Sequence, residues 1–420
     1  MSVEALLLNA FKTALEAANP ALMIPGTLPS PPKSRTLVVG GGKAAAAMAK
    51  AVDEAWPTHA PLSGLVVTRY LHGLQTPRIE VLEAGHPVPD SQGELATSRM
   101  LSAIRQLGED DLLLVLLSGG GSSLLALPAE GIRSEDLRAV TKALLASGAP
   151  IQDINTVRKH LTVFSGGRIA ACSRAPIYVL LISDVVGDVP ATIASGPCYP
   201  DPSTFIEAAG ILQRYGIRAP HTVMAHLQRG IKGDIEDTPK PGNAVFAHVQ
   251  HHVIGNAQRS LAAAENFLIR QGIQVFNLGE QTGDSRVLAQ HHARLLQHHI
   301  LHATQPFALL SGGETTVALS EVHGRGGRNT EYLLALGLAL GKTDRVWSLA
   351  CDTDGFDGSE DNAGAVWKPA LPDMALSLGL NPAEFLQRHD AYGFFSATDS
   401  LVVTGATRTN VNDFRLTLVL

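Results

Sequence analysis

Cysteine is scarce in this chain of 420 residues. There are three, Cys172, Cys198 and Cys351, widely spaced and without a CxxC pair. That excludes a disulfide framework and fits a reducing, cytoplasmic setting. Charge is sparse too, at 17 % against the usual ~25 %, which with so many apolar residues excludes global disorder. Positive charge is in deficit: 33 Lys and Arg stand against 39 Asp and Glu, a net charge of −6. With no basic excess to neutralise a phosphate backbone, nucleic acid is not an expected partner. Long apolar runs are missing. The stretch Leu112–Leu117 falls far short of the ~18 residues a membrane span needs, so no membrane is expected. The N-terminus has no basic flank, and its apolar positions (Leu7, Leu8, Phe11, Leu15) read as an amphipathic helix rather than a signal peptide.

Glycine, by contrast, is abundant. Its 40 residues cluster behind apolar runs, as in loops that press backbone against a ligand. At roughly 150 residues per domain, the length implies two or three domains. Short apolar runs alternate with Ala/Leu-rich stretches. Thr36–Val39, Leu65–Val67, Leu112–Leu117, Ile177–Ile182, His252–Ile254, Phe307–Leu310, Val346–Ala350 and Leu401–Val403 read as buried strands. Ala44–Trp56, Ser91–Leu107, Glu135–Ala146, Ala257–Gln271, Ser285–Leu301 and Thr330–Leu340 read as helices. The pattern predicts α/β domains with parallel or mixed sheets, covered on both faces. The charged, proline-bearing segment Gly230–Gly242 reads as an interdomain connection, with a long loop inside one domain as the alternative. A faint echo links the segment from Leu37 to that from His252, and the segment from Leu116 to that from Leu309. Two lobes, each with glycine loops at strand C-termini, would explain it.

Gly40-Gly41-Gly42-Lys43 lies between a strand and a helix, where backbone N–H groups and a mobile ammonium suit an anion. It is not a Walker A loop, because Ala44 stands where Ser or Thr would hold Mg²⁺. Gly40, Gly42 and Ala45 do match G-x-G-x-x-A. The next strand, however, ends in Thr68 and Arg69 rather than an acid, which disfavours NAD and leaves NADP weakly permitted. Ser118, Gly119, Gly120, Gly121 and Ser122 follow an apolar strand and offer donors to phosphate or carboxylate, with Ser311, Gly312, Gly313 and Glu314 as their counterpart. Neither serine loop has a nucleophile-elbow frame. His323–Glu331 opens a helix with Arg325 and Arg328 on a glycine loop, suited to a transferring phosphoryl group, with Asn329 beside it. Two acidic clusters end strands: Asp184 with Asp188, and Asp352 with Asp354. Such short carboxylates suit Mg²⁺, or one of them could take a substrate proton. The paired histidines 251–252, 291–292 and 298–299 form no i, i+4 chelate and read as a surface face.

Taken in order, GGGKA (40–44), GHPVPD (85–90), LSGGGSSL (117–124), NTVRKHL (155–161), SDVVGD (183–188), SGP (195–197), SGGETT (311–316), GGRNTE (326–331), DTDGFDG (352–358) and TNVND (409–413) resemble the two-domain glycerate 2-kinase family. The likeness runs from about Lys33 to the end. Members carry a C-terminal MOFRL domain and are often labelled hydroxypyruvate reductases. The resemblance implies ATP-dependent phosphorylation of D-glycerate, usually to 2-phosphoglycerate, with Mg²⁺. It implies a Rossmann-like N-terminal domain over 1–237, a C-terminal α/β domain over 243–420 with its MOFRL region at about 305–415, and an active site in the cleft between them. The family's catalytic lysine and arginine fall on Lys43 and Arg328. Asp188 is then the proton acceptor or, with Asp184, Asp352 and Asp354, a Mg²⁺ ligand. Gly41, Gly42, the Ser118–Ser122 loop, Arg158, Gly312, Gly313, Glu314 and Asn329 form the substrate and nucleotide seat. Ser165 replaces the family's usual lysine, leaving Arg168 as the next positive charge, and Cys198 replaces a usual threonine. An NADP-dependent hydroxypyruvate reductase and a non-catalytic organic-acid sensor are the alternatives, and oligomeric state is open, a homodimer included.

Overall fold

The computed structural model describes residues 2–300, 305–318 and 324–420. His323 and the last residue of the expected Ser285–Leu301 helix lie outside the described residues. The chain forms two compact units, Met23–Ile254 and Met1–Leu22 with Gly255–Leu420. No described helix is long and apolar enough to cross a membrane.

In the Met23–Ile254 unit, strands β1 (Thr36–Gly41), β2 (Leu62–Arg69), β3 (Ile79–Ala84), β4 (Leu112–Leu117), β5 (Ile177–Ile182) and β6 (Val249–Gly255) form one sheet in the order β3-β2-β1-β4-β5-β6. The pairings from β3 through β5 are parallel. The leucine and valine runs of β1 and β4 are buried along their whole length, as a doubly covered parallel sheet requires. β3 escapes an apolar-run reading because it is a partly exposed edge strand: Glu80 points out to a bidentate pair with Arg99, at 2.5 and 2.9 Å. A second core lies under the helices Ser134–Ala146, Ile151–Leu161, Phe205–Arg214 and His221–Lys232, around Leu137, Val157, Phe205 and Leu227.

Segment 230–242 is not a connection between units. It lies inside the Met23–Ile254 unit, where Asp237 meets His160 at 2.9 Å and the Thr238 hydroxyl donates to Asp201 at 3.0 Å. The unit boundary falls at 254/255, not at 237–243.

In the other unit, β7 (Gln274–Glu280), β9 (Phe307–Gly312), β11 (Val346–Asp352), β12 (Gly364–Trp367), β13 (Leu401–Val402) and β14 (Asp413–Val419) form a sheet in the order β13-β12-β11-β14-β9-β7, while β8 (Gly283–Asp284) pairs with β10 (Thr315–Thr316). Only β7–β9 is parallel in the six-stranded sheet and its other pairings are antiparallel, the mixed form of the expected parallel or mixed sheets. The central strand β14 was hidden by charge, since its Asp413 and Arg415 are both buried and satisfy each other. The N-terminal helix Val3–Glu16 belongs to this unit. It buries Leu7, Ala10, Phe11 and Ala14, and leaves the expected Leu8 exposed. Phe11 packs on Phe414, and the Ser260 hydroxyl donates to the Ala14 carbonyl at 2.8 Å.

The echo is not a repeat of two lobes. β6 completes one unit's sheet while its following helix, Ala257–Arg270, belongs to the other, and β9 leads into a short strand rather than a helix. His292 is a core residue with its Nδ1 2.7 Å from the Tyr332 hydroxyl, not part of a surface face. Burial pushes its pKa down to about 3, and Arg415 and His291 push the same way.

Candidate active site

The parallel register of β1 on β4 (Gly41 opposite Leu117) sets their C-terminal loops side by side. Gly42 has φ +142°, and a Cβ there would stand 2.2 Å from Ser118 Oγ. That contact is a bond in the making of the loop pair: Lys43 N–H donates to Gly119 O at 2.8 Å, and Ala44 N–H to Ser118 Oγ at 3.0 Å. Gly42 and Ala45 amides are also used, by Val67 O and Gly42 O. The GGGK loop therefore does not offer these amides to an anion, as the sequence suggested. It locks the neighbouring loop in place, and the Ser118 hydroxyl is an internal acceptor.

The second loop is the one that keeps donors. Among the described residues, the amides of Gly119, Gly120 and Ser122 have no protein acceptor. Lys43 and His86 flank Gly120: a Cβ there would stand 2.9 Å from the His86 ring and 3.5 Å from Lys43 Cγ. Ser195 supports the loop, its Oγ lying 2.8 Å from Ser122 Oγ and 3.0 Å from Asn155 Oδ1. Ala194 (φ +50°) and Ser195 (φ +60°) are consecutive left-handed non-glycine residues, strain that persists where surrounding structure fixes it, commonly at functional sites. Their role was not among the sequence assignments; two small residues before Gly-Pro were the available signal.

Arg158 lies three residues after Asn155 on the helix Ile151–Leu161, so both project from one face. Among the described residues no hydrogen bond or ion pair engages its guanidinium. Burial, unopposed by any carboxylate, draws its pKa down to about 10. Asp184 and Asp188 are half-buried on the loop after β5, which borders β4 at the same end of the sheet. Val185 N–H donates to Ser183 Oγ at 3.2 Å and Asp188 N–H to Val185 O at 2.9 Å, folding the loop so that Asp188 is left-handed at φ +53°.

The other unit has a different character. Arg328 opens the helix Arg328–Leu340 and is gripped by three carboxylates: Asp413 at 2.7 Å, Asp352 at 2.8 Å and Glu314 at 2.8 Å. Burial alone would lower its pKa; those three neighbours outweigh it and hold the guanidinium well above its usual range. Asp357 accepts the Asn329 and Thr330 amides at 2.9 and 2.8 Å and so caps the helix. Burial raises its pKa despite these bonds. Asn329 is wholly buried and donates to Asp413 at 2.8 Å, a supporting position rather than a ligand contact. Arg325 does not wait for an anion. It pairs with Glu360 at 2.5 Å and stacks on Tyr392. The carbonyls of Gly312 and Gly313 are taken by Arg415 (2.8 Å), Gln281 and Asp413.

A cavity of about 370 Å³ opens over Arg328, with Glu314, Thr315, Gly327, Glu331 and His389 in its wall. Arg286 and His389 Nδ1 both meet the buried Glu331, at 2.6 and 2.9 Å. This trio was absent from the sequence reading because its neighbouring members are 45 and 58 residues apart along the chain.

For a divalent cation, Asp184 and Asp188 fit by donor chemistry: half-buried, short carboxylates on the loop after β5, of the kind that share Mg²⁺ with phosphate oxygens. Asp352 and Asp354 do not fit. Asp352 is held by Arg328 and by the Asp354 amide (3.0 Å), and Asp354 accepts the Phe356 amide at 2.8 Å, closing a turn. Among the described residues no group of three or more His, Cys, Asp or Glu could hold a metal ion by itself.

Residues 6–228 match the family described as Domain of unknown function (DUF4147), and residues 307–413 match the MOFRL family. A D-glycerate 2-kinase from Thermotoga maritima is 37 % identical, with 100 % of this chain and 99 % of that protein covered. A protein from Agrobacterium vitis, provisionally named a hydroxypyruvate reductase, is 44 % identical over 100 % of this chain and 95 % of its own. The crystal structure of a glycerate kinase from Thermotoga maritima superposes with a TM-score of 0.87 at 36 % identity, covering 100 % of this chain and 99 % of that one.

Proposed function

Because the chain belongs to the glycerate 2-kinase family, we propose that it transfers the γ-phosphoryl group of ATP to the C2 hydroxyl of D-glycerate, giving 2-phosphoglycerate. The observation that supports this most is Arg158, a mostly buried guanidinium with no protein counter-charge among the described residues. A buried cation of that kind is stable only opposite an anion, and the glycerate carboxylate supplies one.

Lys43, at the end of β1, neutralises charge on the transferring group as a mobile point charge. Arg328 is the arginine we assign to phosphoryl transfer, and two of its five N–H groups are left over by its three carboxylate partners. Asp413 and Asp352 hold its plane, so that it needs little reorganisation as charge develops. Asp188 takes the hydroxyl proton, and Asp184 is the carboxylate we assign to Mg²⁺. When bound, that ion would neutralise charge on the phosphate oxygens. Three free thiols and a nucleotide co-substrate are in keeping with the cytoplasm.

The reductase reading finds less support. A dinucleotide fingerprint needs loop amides to approach the pyrophosphate, whereas the amides of Gly42, Lys43, Ala44 and Ala45 are bonded within the protein. Incubation with D-glycerate and Mg-ATP should release ADP and yield a product that enolase consumes. Loss of NADPH absorbance with hydroxypyruvate, and no glycerate-dependent ADP, would overturn the proposal.

A further inference from the structure

Arg158 is not the only mostly buried arginine of the Met23–Ile254 unit without a direct partner. Arg168 follows Gly167, which is left-handed at φ +79°. Its loop is stitched down by Gly166 N–H to Ser195 O (3.0 Å) and Gly167 N–H to Gly196 O (2.9 Å). A Cβ on Gly167 would stand 2.7 Å from the Phe246 ring, so the backbone under Arg168 has one available course. Arg168 Nε is buried without an acceptor, and no carboxylate among the described residues is within ion-pair distance. The acids nearest in charge are committed elsewhere: Asp201 to Lys159 (3.3 Å), Asp237 to His160 (2.9 Å) and Lys240 (3.2 Å). Burial therefore lowers the Arg168 pKa in spite of them.

Arg168 lines a cavity of about 310 Å³ with His226, Arg229, Thr162, Glu130 and Asp234. His226 is buried, its Nε2 3.0 Å from His160 O, and burial lowers its pKa, with Arg168 and Arg229 pushing in the same direction. Two cations thus converge on a neutral imidazole. Arg229, Glu130 and Asp234 are exposed at the rim, and neither acid pairs with either arginine. A volume at the small end of ligand pockets, ringed by carboxylates, suits a compact anion and rejects an extended polyanion. The positive charge of Arg168, read from sequence as a substitute for a lysine near the phosphates, faces this cavity, whose wall shares no residue with the Ser118–Ser122 loop or Arg158.

We propose that this cavity is a second ligand site, which takes the oxyanion group of a small phosphorylated or carboxylated metabolite between Arg168 and Arg229. The site stands independently of the kinase reading.

The test is calorimetric titration of the full chain at fixed ionic strength, with inorganic phosphate and separately with malonate to distinguish the two anion sources. Binding of one or both should persist in Arg158→Met, weaken about tenfold or more in Arg168→Met, as for a lost charge-assisted contact, and weaken severalfold in Arg229→Gln. Arg229 is exposed, so that variant keeps the test open if Arg168→Met does not fold, and its kcat for glycerate should match the parent's. Binding that vanishes in Arg158→Met, that ignores both Arg168→Met and Arg229→Gln, or that is missing for both anions overturns the proposal.

Discussion

The loops Ser118–Gly121 and Ser311–Glu314 look like copies in sequence and are electrostatic opposites in the folded chain. The first shares its unit with a cation that lacks an acid: Arg158 has no carboxylate near it, and the amides of Gly119 and Gly120 have no acceptor among the described residues. The second holds a cation with three acids: Glu314 in the loop itself, with Asp352 and Asp413, encloses Arg328. The glycines of both loops solve similar steric problems. At Gly121 a Cβ would meet Gly41 O at 2.9 Å, and at Gly313 it would meet Gln281 O at 2.4 Å. A glycine pattern reports where backbone must come close; the charge placed beside it decides whether the loop receives an anion or positions an arginine.

Removing the arginine of the acid-rich loop should have the largest effect. Arg328→Ala should lower kcat about 10³-fold, the scale of a lost phosphoryl-transfer arginine, in the glycerate-dependent ADP assay. Turnover near that of the parent would remove Arg328 from the chemistry. Removing the unpaired arginine should act on binding instead. Arg158→Met should raise the glycerate KM by about 10²-fold, as for a lost charge-assisted carboxylate contact, while thermal stability holds or rises, because a buried uncompensated charge has been deleted. A variant that loses stability but keeps its KM would show Arg158 to be structural.

Gly42→Ala should cost about 3 kcal/mol in denaturant unfolding, since the new Cβ meets Ser118 in a left-handed backbone; an unshifted midpoint would mean the two loops are not locked. Acid should weaken the unit of Arg328 through His292. Its folded pKa lies near 3, below the unfolded ~6.5, so the neutral ring's stability is complete above about pH 6.5 and falls as pH drops toward 3. The slope should be at most about 1.4 kcal/mol per pH unit from this group, and His292→Leu should flatten it in pH-dependent melting. Smallest is Glu314→Gln. Its side chain is half exposed, and exposed ion pairs contribute about 1 kcal/mol or less, so the KM for ATP should fall by about fivefold at most. A larger loss of kcat would give Glu314 a role beyond competing for Arg328.

Much of this was readable in advance, and what was not has definite causes. β1, β4 and β5 follow from apolar runs, because a strand covered on both faces tolerates no charge. β14 was unreadable, because Asp413 and Arg415 neutralise each other inside the sheet and break the apolar run that marks a buried strand. Lys43 and Arg328 were legible as cations next to glycine loops, and Arg158 through the resemblance carried by its NTVRKHL motif. The clasp of Arg328 was not, since its three acids come from positions 314, 352 and 413. Asp352 and Asp354 looked like metal ligands because a carboxylate at a strand end suits a cation, a turn or a salt bridge equally well until its neighbours are known.

By itself the amino-acid order determined the elements and the chemistry on offer, because strand burial, helix period and the steric demands of glycine act within a few residues. Which charges are neutralised and which are left for a ligand was decided only by the tertiary structure. Coulomb interaction and desolvation depend on distance and burial in space, and those bring together carboxylates, guanidinium groups and imidazoles that lie tens to a hundred residues apart along the chain.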